Sequence, residues 1–191
     1  MRPEEQDDYP HKYKFQQLIL YVATKSETDP NFGATKLNKI LFFCDFLAYR
    51  SLGSAITGQS YQKLPFGPAP RALLPVLSEM EAAGECTVLE RQHFGLSQRR
   101  LLPRRDPDLN CFTPQEIDLV NSVLTELWHD NASSVSELSH QFVGWQAVET
   151  GEEIPYETIF VGDPAQPLTA DELDYGRSLW EEVRGEAQGG H

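Results

Sequence analysis

The sequence predicts a mainly α fold of the α+β kind: a helical domain around a buried central helix, with a small antiparallel β hairpin. Three observations predict it. The first is Ala34–Arg50, ATKLNKILFFCDFLAYR, the most apolar run in the chain and too long for a strand. At about 100° per residue, Leu37, Ile40, Leu41, Cys44 and Leu47 share one face. Phe42, Phe46 and Tyr49 share a second, with Phe43 between. A helix apolar on most sides is surrounded by other elements. The second is a set of further segments with helical spacing and start signals. The third is residues 86–92, CTVLERQ, which alternate as a strand does and are followed by a turn.

In order, residues 1–10 are polar and acidic and read as loose. Residues 11–26 carry Phe15, Leu18, Ile19 and Val22 at helical spacing and predict a first helix. Thr28–Gly33 is a turn-rich connection into the central helix. That helix takes Thr35 as its N-cap and Gly53 just past its end. Within it, Asn38 and Asp45 share one edge, and Lys36 and Lys39 share another. Two readings stay open: the lysines reach solvent while a loop amide satisfies Asp45, or these residues face a partner.

Residues 54–70, SAITGQSYQKLPFGPAP, read as irregular, with Ile56 and Tyr61–Leu64 as short extended pieces. Pro70 suits the first turn of a helix with Leu73, Leu74, Leu77 and Met80 on one face, ending at Gly84. The strand over 86–92, a turn at 93–97 and a return over 99–103 make the hairpin. It is basic, with Arg91, Arg99, Arg100, Arg104 and Arg105. Thr113-Pro114-Gln115-Glu116 is a capping box with proline at the first helical position. Ile117, Val120, Val123, Leu124 and Leu127 line the helix that follows. Another begins at Ser133 or Ser134, with Val135 and Leu138 inside and His140 near its end. Phe142–Val148 holds Trp145, Gly151–Pro155 breaks the chain, and 156–161 is a short apolar piece. A last helix starts at Thr169, and 185–191 is a frayed tail. The central domain thus spans 11–160, and 161–191 is a C-terminal helix and flexible tail.

The 191 residues suffice for one buried core. Nothing resembles a secretory leader, and lysines and an acid inside the apolar helix exclude a membrane span. The cytoplasm is the expected location. Cys44, Cys86 and Cys111 are odd in number and far apart, so neither a disulfide framework nor a zinc site is expected. Cys44 reads as core. The net charge of −13 is uneven: 1–105 hold 14 Lys and Arg against 11 Asp and Glu, a balance of +3, and 106–191 hold 2 against 18, a balance of −16. Such acidity repels nucleic-acid phosphates and suits either solubility or a basic partner. A helix followed by a basic hairpin also fits a winged-helix DNA-binding regulator using 86–105. No phosphate loop, dinucleotide fingerprint, zinc-protease motif or nucleophile elbow occurs. A small hydrolase built on a pair such as Cys44 with His140 is the third alternative. His140 otherwise fixes a turn or stacks near Trp145. No enzyme activity, cofactor or metal is expected.

Lys36-Leu37-x-Lys39-Ile40-Leu41-Phe42-Phe43-x-Asp45, then Phe66-Gly67-Pro68 before a helix, then Leu138-Ser139-His140 with Trp145, resemble in order the motifs of the SocA-like Panacea antitoxin domain. The likeness spans about Phe15–Tyr156. Phe66 stands where the family has tyrosine, and Ala69 where it has valine. The resemblance implies a prokaryotic or phage toxin–antitoxin protein. It implies a mainly helical module that binds and neutralises a cognate toxin encoded adjacently, with a protease as a possible delivery target. It offers Lys36, Lys39, Asp45, Phe66, Gly67, Pro68, His140 and Trp145 as partner-binding candidates. Nucleic acid and membrane are not expected partners.

Overall fold

The computed structural model describes residues 9–93 and 96–161. The helix predicted from Thr169 lies outside them. Six helices are described: α1 Tyr9–Lys25, α2 Ala34–Leu52, α3 Leu73–Ala82, α4 Pro114–Glu126, α5 Ala132–His140 and α6 Val143–Ala147. Two antiparallel hairpins join them, β1 (Tyr61–Leu64) with β2 (Gly67–Pro70), and β3 (Cys86–His93) with β4 (Leu96–Pro103). A 3₁₀ turn at Leu109–Cys111 precedes α4, and another at Tyr156–Phe160 ends the described chain.

The central helix is α2, as predicted. It packs against α1, α4, α5, β2, β4 and the last 3₁₀ turn. Its two apolar faces enter two separate clusters. Leu37, Ile40, Leu41, Cys44 and Ala48 join Phe15, Leu18, Ile19 and Val22 of α1, together with Val120, Val123 and Leu124 of α4. Phe42 and Phe46 join Tyr61 and Ile154, and Phe43 packs against both clusters. Helix α1 begins at Tyr9, two residues earlier than predicted.

The helix ends are partly as predicted. Gly53 ends α2 in the left-handed region at φ 81°, where a side chain is disfavoured. The N-cap is Gly33, not Thr35, and it provides no side-chain bond. The Thr113–Glu116 capping box forms, and Lys14 Nζ adds a 2.7 Å ion pair to Glu116. Helix α5 is capped by Asn131, whose side chain accepts from the N–H groups of Ser133 and Ser134. That is two residues before the first predicted start. Val135 is buried as predicted, but Leu138 is 43 % exposed.

The largest difference lies in residues 54–70. The Pro- and Gly-rich part is the second strand of a hairpin, with Tyr61 opposite Pro70 and Leu64 opposite Gly67. Gln62–Ala69 and Leu64–Gly67 occupy the ladder positions that need an N–H. Pro68 falls between them and Pro70 just beyond, at positions where none is required. Pro70 therefore closes β2, and Pro75 takes the first turn of α3. Residues 151–154 flank β1 on its other side. The amide of Ile154 donates to Tyr61 O at 2.8 Å and that of Gly151 to Lys63 O at 2.8 Å.

Candidate functional site

Lys36 and Lys39, read as facing solvent or a partner, are both buried. A buried ammonium needs acceptors for its three N–H groups. Lys36 Nζ has all three. It pairs with Asp29 Oδ2 at 2.7 Å and donates to the carbonyls of Trp128 at 3.1 Å and Asp130 at 2.8 Å. It thus satisfies carbonyls left open beyond the end of α4 and ties them to the start of α2. Asp45 is buried too and is satisfied by a loop amide, as one reading expected. Thr57 N donates to Oδ1 at 2.7 Å, and the Thr57 and Tyr61 hydroxyls reach Oδ2. Burial raises its carboxyl above the ordinary value, and these hydrogen bonds oppose the rise.

Lys39 differs from Lys36. Its Nζ donates to Pro68 O at 3.0 Å, and no carboxylate pairs with it among the described residues. Burial pushes its pKa down to about 8. This lysine reaches the back of the β1–β2 turn, around which the other motif residues gather. Ser136 Oγ donates to Phe66 O at 3.1 Å, and Ser139 Oγ donates to Ser136 O at 2.7 Å. Trp145 Nε1 donates to Leu64 O at 3.3 Å. His140 stacks on the Trp145 ring, centroids 4.1 Å apart, and Lys63 Nζ lies 4.5 Å from that ring's centre. Burial, with the nearby Lys39 charge, lowers the His140 pKa.

Gly67 is fixed by two constraints. Its φ is 98°, and a Cβ there would fall onto Ser139 Oγ and within 2.6 Å of Lys39 Cε. Only glycine meets both at no cost. Pro65 and Phe66 span the turn, and Gly67 follows in the left-handed region that favours glycine. The outcome is an unusual display. The carbonyls of Leu64, Phe66 and Pro68 are each held by a side chain from a helix, while the Phe66 ring is 75 % exposed.

Of the eight candidates, Phe66, Gly67, Pro68, Lys39, His140 and Trp145 thus come together around one turn. Lys36 and Asp45 serve other joints, at the ends of α4 and of the loop after α2. Ser136, Ser139 and Lys63 join the residues around the turn, although the sequence does not mark them as candidates. The signal for the serines is their spacing of three on α5, which puts two small residues on its buried side.

The basic hairpin is used internally in part. Arg100 is buried, and its guanidinium donates to the carbonyls of Ser26, Glu27, Asp29 and Phe32, closing the loop after α1. Arg105 bonds Glu85 and Gln17, and Arg104 bonds Thr87. Arg99 is exposed. Burial of Arg100 and the Arg105–Glu85 pair withdraw two of the five arginine charges on which a DNA-binding wing would depend. Cys44 lies in the main core cluster, where burial raises its thiol pKa well above the ordinary value. Among the described residues no group of His, Cys, Asp and Glu is arranged to hold a metal, and no helix is long and apolar enough to cross a membrane.

Residues 37–146, more than half of the chain, match the family described as antitoxin SocA-like, Panacea domain. No curated protein and no solved structure matches the chain.

Proposed function

Because the chain belongs to the antitoxin SocA-like family of Panacea domains, we propose that it is a cytoplasmic protein-binding module that holds and neutralises a toxin encoded beside it. The tip of the β1–β2 hairpin is the centre of the contact. One observation carries this reading: polar side chains of three helices converge to fix the backbone around a single exposed aromatic ring. Binding energy at protein interfaces concentrates in such rigid aromatic anchors, because little ordering entropy remains to be lost. Lys36, Lys39 and Asp45 act on the contact through the shape they hold rather than by touching the partner. Such a module needs no catalytic group and no cofactor.

The exposed acids Glu137, Glu149, Glu152, Glu153 and Glu157 support steering of a basic toxin. Its association then slows as salt rises, since exposed charges are screened beyond roughly 8 Å at physiological ionic strength.

The test is co-expression with the adjacent gene product, followed by affinity measurement on the parent and on Phe66→Ala. The variant should melt within about 0.5 kcal/mol of the parent. It should bind more weakly by about 2 kcal/mol or more. Equal binding would remove the hairpin tip from the contact. Failure of the parent to retain any neighbouring protein would remove the neutraliser reading. A toxin half-life shortened by this chain would indicate delivery to a protease.

A further inference from the structure

We propose that the groove between the start of α2, the β1–β2 hairpin, α3 and the β3–β4 hairpin is a second contact. It takes an extended partner segment that carries one apolar side chain beside a carboxylate. The proposal rests on the reading of the chain as a protein binder, but not on the hairpin tip being the site.

Leu37, Leu64, Leu73, Leu77, Val88 and Leu101 make the groove apolar. Its volume is about 150 Å³. An apolar cavity of about that size accommodates a group as large as benzene, so one leucine or phenylalanine side chain is a fitting occupant. The polar part of the lining is one-sided in charge. Arg71 and Arg99 both line the groove and are both exposed, and no acidic residue lines it among the described residues. In a chain of net charge −13 this is a local reversal of sign. Arg71 is held in place by Gln62 Oε1 and Gly151 O, which presents its charge in a defined position. Gly33 and Ala34 open α2 within the same lining with no side-chain cap, so the positive end of that helix adds to the two guanidiniums.

Two features together specify the occupant. The pocket takes the apolar side chain, and the arginines and the helix start take the neighbouring carboxylate.

The test pans a random peptide library on the full chain and measures selected peptides by fluorescence polarisation. Selected peptides should pair Leu, Phe or Trp with an adjacent Asp or Glu. Arg99→Glu in the protein, or Asp→Asn in the peptide, should each weaken binding by about tenfold. Ala34→Phe, which fills the mouth from an exposed helix position, should weaken it at least as much. If Ala34→Phe lowers the melting temperature, the Asp→Asn peptide still decides the matter with the parent protein. No selected peptide, selected peptides without an acid, or affinity unchanged by Arg99→Glu and Asp→Asn would overturn the proposal. A toxin still captured when peptide selection fails overturns the groove and leaves the antitoxin reading. Peptides selected when no toxin is captured support the groove and remove that reading.

Discussion

The two hairpins are built on opposite plans. In β3–β4 each strand has eight residues, and the register runs unbroken from Cys86–Pro103 to His93–Leu96. Its own ladder holds it together, and one buried guanidinium, Arg100, fastens it to the loop after α1. In β1–β2 each strand has four residues, and two of those in β2 are prolines. Its ladder is too short to stand alone. It is held from outside by Lys39, Ser136, Trp145 and the residues after Gly151. A hairpin stabilised locally carries its pattern in its own sequence. One stabilised by its neighbours does not, and that one presents the exposed aromatic.

The comparison can be broken first at the floor of β1–β2. Phe46 is fully buried, and its ring centre lies 5.5 Å from that of Tyr61. Phe46→Ala should cost about 3–5 kcal/mol in chemical denaturation. Phe42 should behave alike, and the half-buried Phe43 should cost less. A parent-like melt for Phe46→Ala would mean that β1–β2 does not depend on this cluster.

Next is the buried guanidinium of β3–β4, which fastens the hairpin alongside Gln98 and the core residues Cys86 and Leu101. Arg100→Ala leaves buried carbonyls of the loop after α1 without donors, and each such group costs about 1–3 kcal/mol. A loss of about 3 kcal/mol is expected, with hydrogen exchange faster in the 26–33 loop than in β1–β2. Equal acceleration in both hairpins would show that they are not held separately.

Gly67→Val tests the outside clamp. The positive φ and the crowding against Ser139 and Lys39 should together cost about 2 kcal/mol or more, beyond any propensity change. A crystal structure of the variant with the turn unchanged and no loss of stability would refute the clamp.

The smallest effect sharpens the contrast between the two lysines. Lys39 has a folded pKa of about 8 against 10.5 unfolded. Between those values the unfolded chain binds more protons, so this group makes stability rise with pH across that window. Lys39→Met has no such term. The parent should therefore gain on the variant as pH rises from 8 towards 10.5, measured as the difference between paired urea melts. A difference independent of pH would mean that Lys39 is not charged and desolvated at neutral pH.

Local sequence alone determined α2, the division of its apolar residues between two faces, the β3–β4 hairpin and the capping box at Thr113. Those features rest on spacing and on contacts within a few residues. The motif residues were also legible as a set. The family resemblance sets Phe66, Gly67, Pro68, His140 and Trp145 apart in the sequence, and the fold gathers them around one turn. Their roles were not legible. Whether Lys36 and Lys39 reach solvent or turn inward depends on carbonyls 29 to 94 residues away in sequence. Only the packed chain brings Asp130 and Pro68 within reach of those ammonium groups. The same holds for Asn131 capping α5 ahead of Ser133, and for Pro68 and Pro70 forming a strand. A proline forbids only the N–H it lacks, and the fold decides whether that N–H was needed.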